Sequence, residues 1–368
     1  MDTTQHSLLN QRWHVLQHEL FPHLREEFTL TPKLEKLIHT LEWIDFDKFL
    51  NYSVGWPGRP EHDRVALARS FVAKSVLNIG TTVGLIERLS GDRVLKRICG
   101  FDMYHSLPHE STFSRAFKEF ADQGLANLIH EDLIKTHLGE ELIGHNSRDA
   151  TAIHAREKAV YVKKEDKPTV PKRPRGRPKK GEKRPPPERT RIERQLTQTL
   201  AQMMAELPKQ CGIGSKCNAQ GFNETWKGYK FHVDTACCGV PLSAILTSAS
   251  MHDSQAAIPL ALMTQSRVTN LYDLMDAGYC SEELREHSKN LGHIPLIDHN
   301  PRRGEKKPFE PHEAQRYKTR SGAERTNARI KDEFGGRHIT VRGHAKIFCH
   351  LMFGLIALSI DQLMRLMQ

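Results

Sequence analysis

Tyr317-Lys318-Thr319-Arg320-Ser321-Gly322-Ala323-Glu324-Arg325-Thr326-Asn327-Ala328-Arg329-Ile330-Lys331 is the run around which the rest of this chain can be organised. Wound as a helix, it brings Tyr317, Arg320, Glu324 and Lys331 within an arc of about 60°, because each residue advances roughly 100°. A phenol, a guanidinium, a carboxylate and an ammonium then share one face. That mixture suits metal-assisted chemistry on a phosphodiester: an oxygen ligand for a divalent cation, flanked by cations that hold phosphates. Glu333 falls on the opposite face. An amphipathic surface helix laced with ion pairs has the same composition. The functional reading therefore requires partner carboxylates at strand ends elsewhere in the chain.

The bulk properties narrow the field. At 368 residues the chain is long enough for two or three domains, and its net charge of +10 with a pI near 9.2 favours a polyanionic partner. Nucleic acid and an anionic membrane surface are the two candidates. The longest apolar run, Ile347 to Ile360, is interrupted by His350 and is shorter than the ~20 residues a span needs. It reads as a buried helix, and no membrane partner is expected. The first residues lack the basic start and apolar segment of a signal peptide. Seven cysteines, an odd number, then imply reduced thiols in the cytoplasm rather than a disulfide framework. Cys211 and Cys217, with Cys237-Cys238 and His232, form a zinc candidate, but the first spacer is longer than metal-binding pairs use, and ordinary buried thiols are the expectation.

Residues 1–140 read as helical, with Leu34, Leu37, Ile38 and Leu41, and again Leu85, Ile86 and Leu89, at helical spacing. Pro108 opens a further helix in which Phe113, Phe117 and Phe120 face inward and Ser114, Arg115 and Lys118 face outward. Short helices ending in one that exposes Ser and Arg resemble a helix-turn-helix DNA reader. From Leu142 the texture changes. Leu142 to Ile153 suits a strand, and Asp149 within it is unfavourable there by propensity alone.

Residues 157–195 are too basic and proline-rich to bury a core. Within them Pro174-Arg175-Gly176-Arg177-Pro178 resembles an AT-hook: Gly176 lets the backbone lie in a narrow minor groove, whose negative potential attracts Arg175 and Arg177. Beyond this arm come a helix over Gln195 to Glu206, a hairpin of Gly228–Asp234 with Pro241–Ser250, and a helix from Gln255 to Thr264. A strand over Asn270–Met275 stops at Asp276-Ala277-Gly278-Tyr279. A helix over Ser281–Leu291 and a strand over His293–Ile297 lead to the Tyr317 helix and a long apolar helix.

This order resembles the ribonuclease-H-like fold, an α/β architecture with a mixed five-stranded sheet and flanking helices, here preceded by an all-α N-terminal domain (1–140, with 141–368 catalytic). In that fold the strands carrying Asp149 and Asp276 lie side by side, and the helix carrying Glu324 packs over them. Asp149, then Asp276-Ala277-Gly278-Tyr279, then Tyr317, Arg320, Glu324 and Lys331 look like the DDE transposases of bacterial insertion sequences, whose Tyr-Arg-Glu-Lys signature is matched at all four positions. The resemblance implies that Asp149, Asp276 and Glu324 bind two Mg²⁺ or Mn²⁺ ions, that Arg320 and Lys331 grip DNA phosphates, and that Tyr317 contacts DNA near the cut. It implies double-stranded DNA as partner, both terminal inverted repeats and target, at least a dimer on DNA, and a nucleoid-associated place in a bacterial cytoplasm. Only a polar loop separates Ile297 from Tyr317, where hairpin-forming relatives carry a large β-rich insertion, so a hairpin intermediate does not follow. Asp273, Asp253 and Asp234 are the alternatives for the second carboxylate. A non-catalytic AT-rich DNA-binding derivative and a structure-specific nuclease on the same fold are the alternative functions.

Overall fold

The structure, a computed structural model, describes residues 30–50, 62–102, 104–160, 189–217, 220–300, 305 and 307–367. In the N-terminal part the described elements are all helices: α1 (Pro32–Glu42), α2 (Arg64–Val76), α3 (Thr82–Gly91), α4 (Arg93–Ile98), α5 (Glu110–Gln123) and α6 (Leu125–Leu138). Local chemistry sets the starts. Thr31, Asp63, Thr81 and Asp92 each accept a first-turn backbone N–H through the side chain at the heads of α1 to α4. Gly124, at φ +67°, ends α5 in the left-handed region and turns the chain directly into α6.

The second part opens with β1 (Leu142–His154) and continues through α7 (Arg191–Gln195), α8 (Leu200–Glu206), β2 (Gly212–Cys217), β3 (Asn223–Ala236), β4 (Pro241–Ser248), α9 (Ala257–Gln265), β5 (Thr269–Met275), α10 (Glu282–Asn290) and β6 (Ile294–Ile297). It closes with α11 (Pro311–Tyr317), α12 (Ser321–Asp332) and α13 (His344–Leu366). The sheet is mixed, in the order β2-β3-β1-β5-β6, with β4 also paired to β3. β1 runs antiparallel to β3 and parallel to β5, and β5 is parallel to β6. β2 takes the first half of β3 and β4 the second half, along the same edge. The six strands therefore fill five positions, as a ribonuclease-H-like sheet requires.

α13 holds the two parts together. It packs on α2, α5 and α6 on one side and on β4 and α12 on the other. One apolar core runs from Leu34 through Phe71, Phe113 and Phe231 to Leu363. The Phe353 ring of α13 lies 6.1 Å from Phe71 and 6.4 Å from Phe117. At 23 residues this helix exceeds the apolar run read from the sequence and is long and apolar enough to cross a membrane, yet 83% of its apolar window is buried inside the protein.

Three expectations need correction. The Tyr317–Lys331 stretch is not one helix, because a 3₁₀ turn at Lys318–Arg320 separates α11 from α12. The single helix expected over Gln195–Glu206 is two, each opened by its own threonine capping box, Thr190 with Glu193 and Thr199 with Gln202. The sheet gains β2, which was not expected: Gly212 and Gly214 give it no apolar alternation. Gly214 is needed there, since a Cβ at that position would come within 2.4 Å of the Trp226 ring on β3.

Candidate active site

Strand register brings the two aspartates together. Arg148 of β1 pairs with Met275 of β5 in a parallel ladder, so Asp149 and Asp276 are the next residues on each side. Neighbouring strands run roughly 4.8 Å apart, and residues level with each other in a parallel pair project to the same face. That face is the one α12 covers, while Arg148 and Met275 project to the other.

α12 completes the site from above. Asn327 Nδ2 donates to Asp149 Oδ2 at 3.0 Å, and Arg320 Nη1 lies 3.7 Å from Asp149 Oδ1. Arg320 Nη2 donates to Glu324 Oε1 at 2.8 Å, four residues along. One guanidinium thus faces carboxylates from both the sheet and the helix. Its own protonation is strengthened by Asp149, Tyr317, Asp276 and Glu324 against the cost of burial. Tyr317 sits at the end of α11 and donates its hydroxyl to the Met275 carbonyl at 3.1 Å, which ties the helix to the residue preceding Asp276. Its ring is packed 4.8 Å from Phe309, and burial raises its phenol to about 12.

Burial, and after it the charge of Asp276, pushes the Asp149 carboxyl up to about 6, although Arg320 pulls it down. Asp276 is also raised, mainly by burial, with Gly278 and Arg320 opposing and Asp253 and Asp298 adding to the rise. Asp276 Oδ1 accepts the Gly278 N–H at 2.8 Å as the head of the Ala277–Tyr279 turn. Two carboxylates this close, both shifted towards the neutral form, mark a place where a further cation would be stabilising. Glu324 is not part of that pair: its side chain is 61% exposed and drawn to Arg320. Among the described residues no three His, Cys, Asp or Glu side chains stand in metal-holding geometry. Of the zinc candidates, the cysteines are free thiols and the buried His232 is bonded to the Thr247 hydroxyl at 2.8 Å.

The alternative aspartates are all engaged elsewhere. Asp234 is buried in a bidentate pair with Arg148 at 2.8 and 2.7 Å, and also accepts from Asn146 and Thr264. Asp273, two residues from Met275 on the same face, accepts from Asn270 at 3.2 Å, from Ser288 and from His293, and is lowered to about 2 despite its burial. Asp253 pairs with Lys230 at 2.9 Å. The odd spacing between Asp273 and Asp276 separates a fully buried strut from a partly exposed residue.

The remaining sequence-derived residues fall in three places. Lys331 is half-buried at the end of α12; burial lowers its ammonium, as do Lys216 of β2 and Arg337. Ser114, Arg115 and Lys118 are exposed on α5, with Arg115 bonded to the Ser111 carbonyl and Lys118 paired to Asp122. Arg175, Gly176 and Arg177 lie outside the described residues. Asn327 and Arg148 were missed by sequence reasoning. Asn327 follows Glu324 by three residues in the signature stretch, so helical spacing could have found it. Nothing in the sequence marks Arg148.

Two family models match the chain. The Transposase DDE domain covers residues 208–360, which include Asp276, Tyr317, Arg320, Glu324 and Lys331, and the Transposase domain (DUF772) covers residues 22–119, which include the α5 surface. Asp149 lies outside both. No curated protein and no solved structure matches. With a ribonuclease-H-like sheet, these two transposase-domain matches are consistent with a DDE transposase of the insertion-sequence type.

Proposed function

We propose that this transposase binds the terminal inverted repeats of its element, cuts DNA at their ends by metal-assisted hydrolysis, and joins the freed 3′-hydroxyl to target DNA. The observation that supports this most is the meeting of Asp149 and Asp276 at adjacent strand positions under a helix that carries Arg320 and Glu324. The donor set is all carboxylate oxygen, which fits Mg²⁺ or Mn²⁺. Asp149, Asp276 and Glu324 would hold the ions, and the Arg320 guanidinium now supplies the positive charge among them. Bound there as a pair, such ions supply Lewis-acid activation of water and stabilisation of the leaving 3′-oxygen.

The chain's own residues do the rest. Asn327 fixes Asp149 Oδ2 and leaves Oδ1 facing Arg320. Arg320 is released from Glu324 to a DNA phosphate as Glu324 turns in to the aspartates, exchanging one anion for another. Lys331, crowded by two cations, gains from a phosphate beside it. The α5 face and the AT-hook-like arm supply end and minor-groove binding. The enzyme acts as a dimer on two DNA ends, in the bacterial cytoplasm on the nucleoid. Glu324→Gln tests the reading: end binding in a gel-shift assay should persist while cleavage in Mg²⁺ disappears. Undiminished cleavage would refute it.

A further inference from the structure

The helical N-terminal part holds a cleft of about 770 Å³, lined by the head of α2 and by the chain that enters α5. Two guanidiniums and three imidazoles line it: His62, Arg64, His105, His109 and Arg115. No carboxylate is among its described lining residues. Two carboxylates brace its wall instead. Glu119 holds Arg64 at 2.9 Å and so ties α2 to α5, and Asp102 holds His105 at 2.9 Å. Lys96 of α4 donates to the His105 carbonyl at 2.6 Å, and Asp102 accepts the Tyr104 N–H at 2.7 Å. The chain leading into α5 is thus fastened from both α4 and its own turn, and the cleft is formed without a ligand.

His109 carries the chemistry. As the cap of α5, its Nδ1 accepts the Ser111 N–H at 3.2 Å and lies 3.0 Å from the Ser111 hydroxyl. A ring nitrogen that accepts from a backbone N–H bears no hydrogen, so the neutral imidazole carries its hydrogen on Nε2. Among the described residues that Nε2 has no acceptor. Asn, Asp or Ser would cap the helix at least as well; histidine adds a second nitrogen that donates. Arg115 comes to the same serine, with Nε 3.2 Å from the Ser111 carbonyl and Nη2 3.4 Å from its hydroxyl. An imidazole N–H and a guanidinium gathered on one residue suit an anion with several acceptor oxygens, and a phosphodiester is such an anion.

We propose that this cleft seats one backbone phosphate of the DNA duplex, with His109 Nε2–H and the Arg115 guanidinium as donors and His62 beside them. The proposal rests on the reading that α5 meets end DNA, and it gives that meeting a fixed point. Arg115 belongs both to the cleft and to the exposed α5 face, so a strand crossing that face reaches the cleft. Next to His105, Tyr104 is 94% exposed and offers its ring to the sugar adjoining the seated phosphate.

The test compares wild type, His109→Asn and His62→Asn by thermal melting, by fluorescence anisotropy on a duplex taken from the DNA flanking the coding region, and by ethylation interference on the same duplex. His109→Asn keeps a capping side chain and removes the donor, so it should melt close to wild type. It should bind the duplex about tenfold more weakly, and His62→Asn about threefold. Ethylation of one phosphate should block wild-type binding and cease to matter in His109→Asn, with the other interfering positions unchanged. Wild-type affinity and a wild-type interference pattern in both variants would overturn the proposal and leave end binding to the rest of α5. The same pattern accompanied by loss of inorganic phosphate binding, followed by NMR titration, would overturn it too, since the cleft would then take a free anion. A wild type that binds no duplex would overturn the proposal and the reading beneath it together.

Discussion

Asn327 of α12 donates to Oδ2 of Asp149 on β1 at 3.0 Å, across 178 residues of sequence. This bond joins the signature helix to the strand that neither family model covers. Replacing Asn327 with Ala should release the Asp149 carboxylate. We expect cleavage to fall roughly ten- to a hundredfold, as for other groups that orient metal ligands, with end binding unchanged. Single-turnover cleavage beside gel shift makes the comparison, and an unchanged rate would show that Asp149 is oriented by something else.

Asp149 should cost the fold stability at neutral pH. Its folded pKa, about 6, lies above the usual carboxylate value of 3.8. Between those values the folded state holds more proton than the unfolded chain, so this residue's contribution to stability falls as pH rises through the window. Asp149→Asn should therefore raise the melting temperature at pH 7 by an amount corresponding to about 1–2 kcal/mol, and the gain should fade below pH 4. The same variant should lose cleavage. A melting temperature lowered at pH 7 would contradict the cause assigned to the shift.

Arg148 occupies the position before Asp149 and faces the opposite way, into a bidentate pair with Asp234 that is buried on both sides. Its Nη1 also lies 3.5 Å from Met275 Sδ, beside Asp276. Arg148→Met alone strands the Asp234 carboxylate and should destabilise by about 3–5 kcal/mol. Combining it with Asp234→Leu should recover most of that loss, since a buried pair replaced by apolar groups is often neutral. Urea unfolding of the two variants measures the difference.

Much of this was legible in the sequence because charge at helical spacing and a polar residue inside a strand are strong local signals. Tyr317, Arg320, Glu324 and Lys331 were expected on one helical face, which the 3₁₀ turn interrupts, and Asp149 stood out in a stretch of strand formers. The 3₁₀ turn at Lys318–Arg320 left no mark, because no Gly or Pro causes it. It coincides with a long-range bond, Tyr317 to the Met275 carbonyl. β2 was missed because its glycines serve close approach, Gly214 to Trp226 and Gly212 to Ser248, rather than a periodic pattern. The partnership of Glu324 with Arg320, which leaves the carboxylate outside the aspartate pair, depends on side-chain rotamers that spacing does not specify.

The exposed α5 cations predict an effect on binding without one on chemistry. Arg115→Ala with Lys118→Ala should weaken end binding and reduce the slope of log affinity against log salt by about two, one for each phosphate no longer neutralised. Cleavage at saturating protein should remain. Fluorescence anisotropy from low to moderate salt reports both values, and an unaltered slope would remove α5 from the DNA interface.

Everything above depends on Asp276 binding the catalytic cation directly. Asp276→Cys probes that bond, because a thiolate binds Mg²⁺ poorly and softer ions such as Mn²⁺ better. This variant should show no strand cleavage in Mg²⁺ and measurable recovery in Mn²⁺, with end binding equal to wild type in both. Cleavage in Mg²⁺ at the wild-type rate would mean that Asp276 is not a ligand.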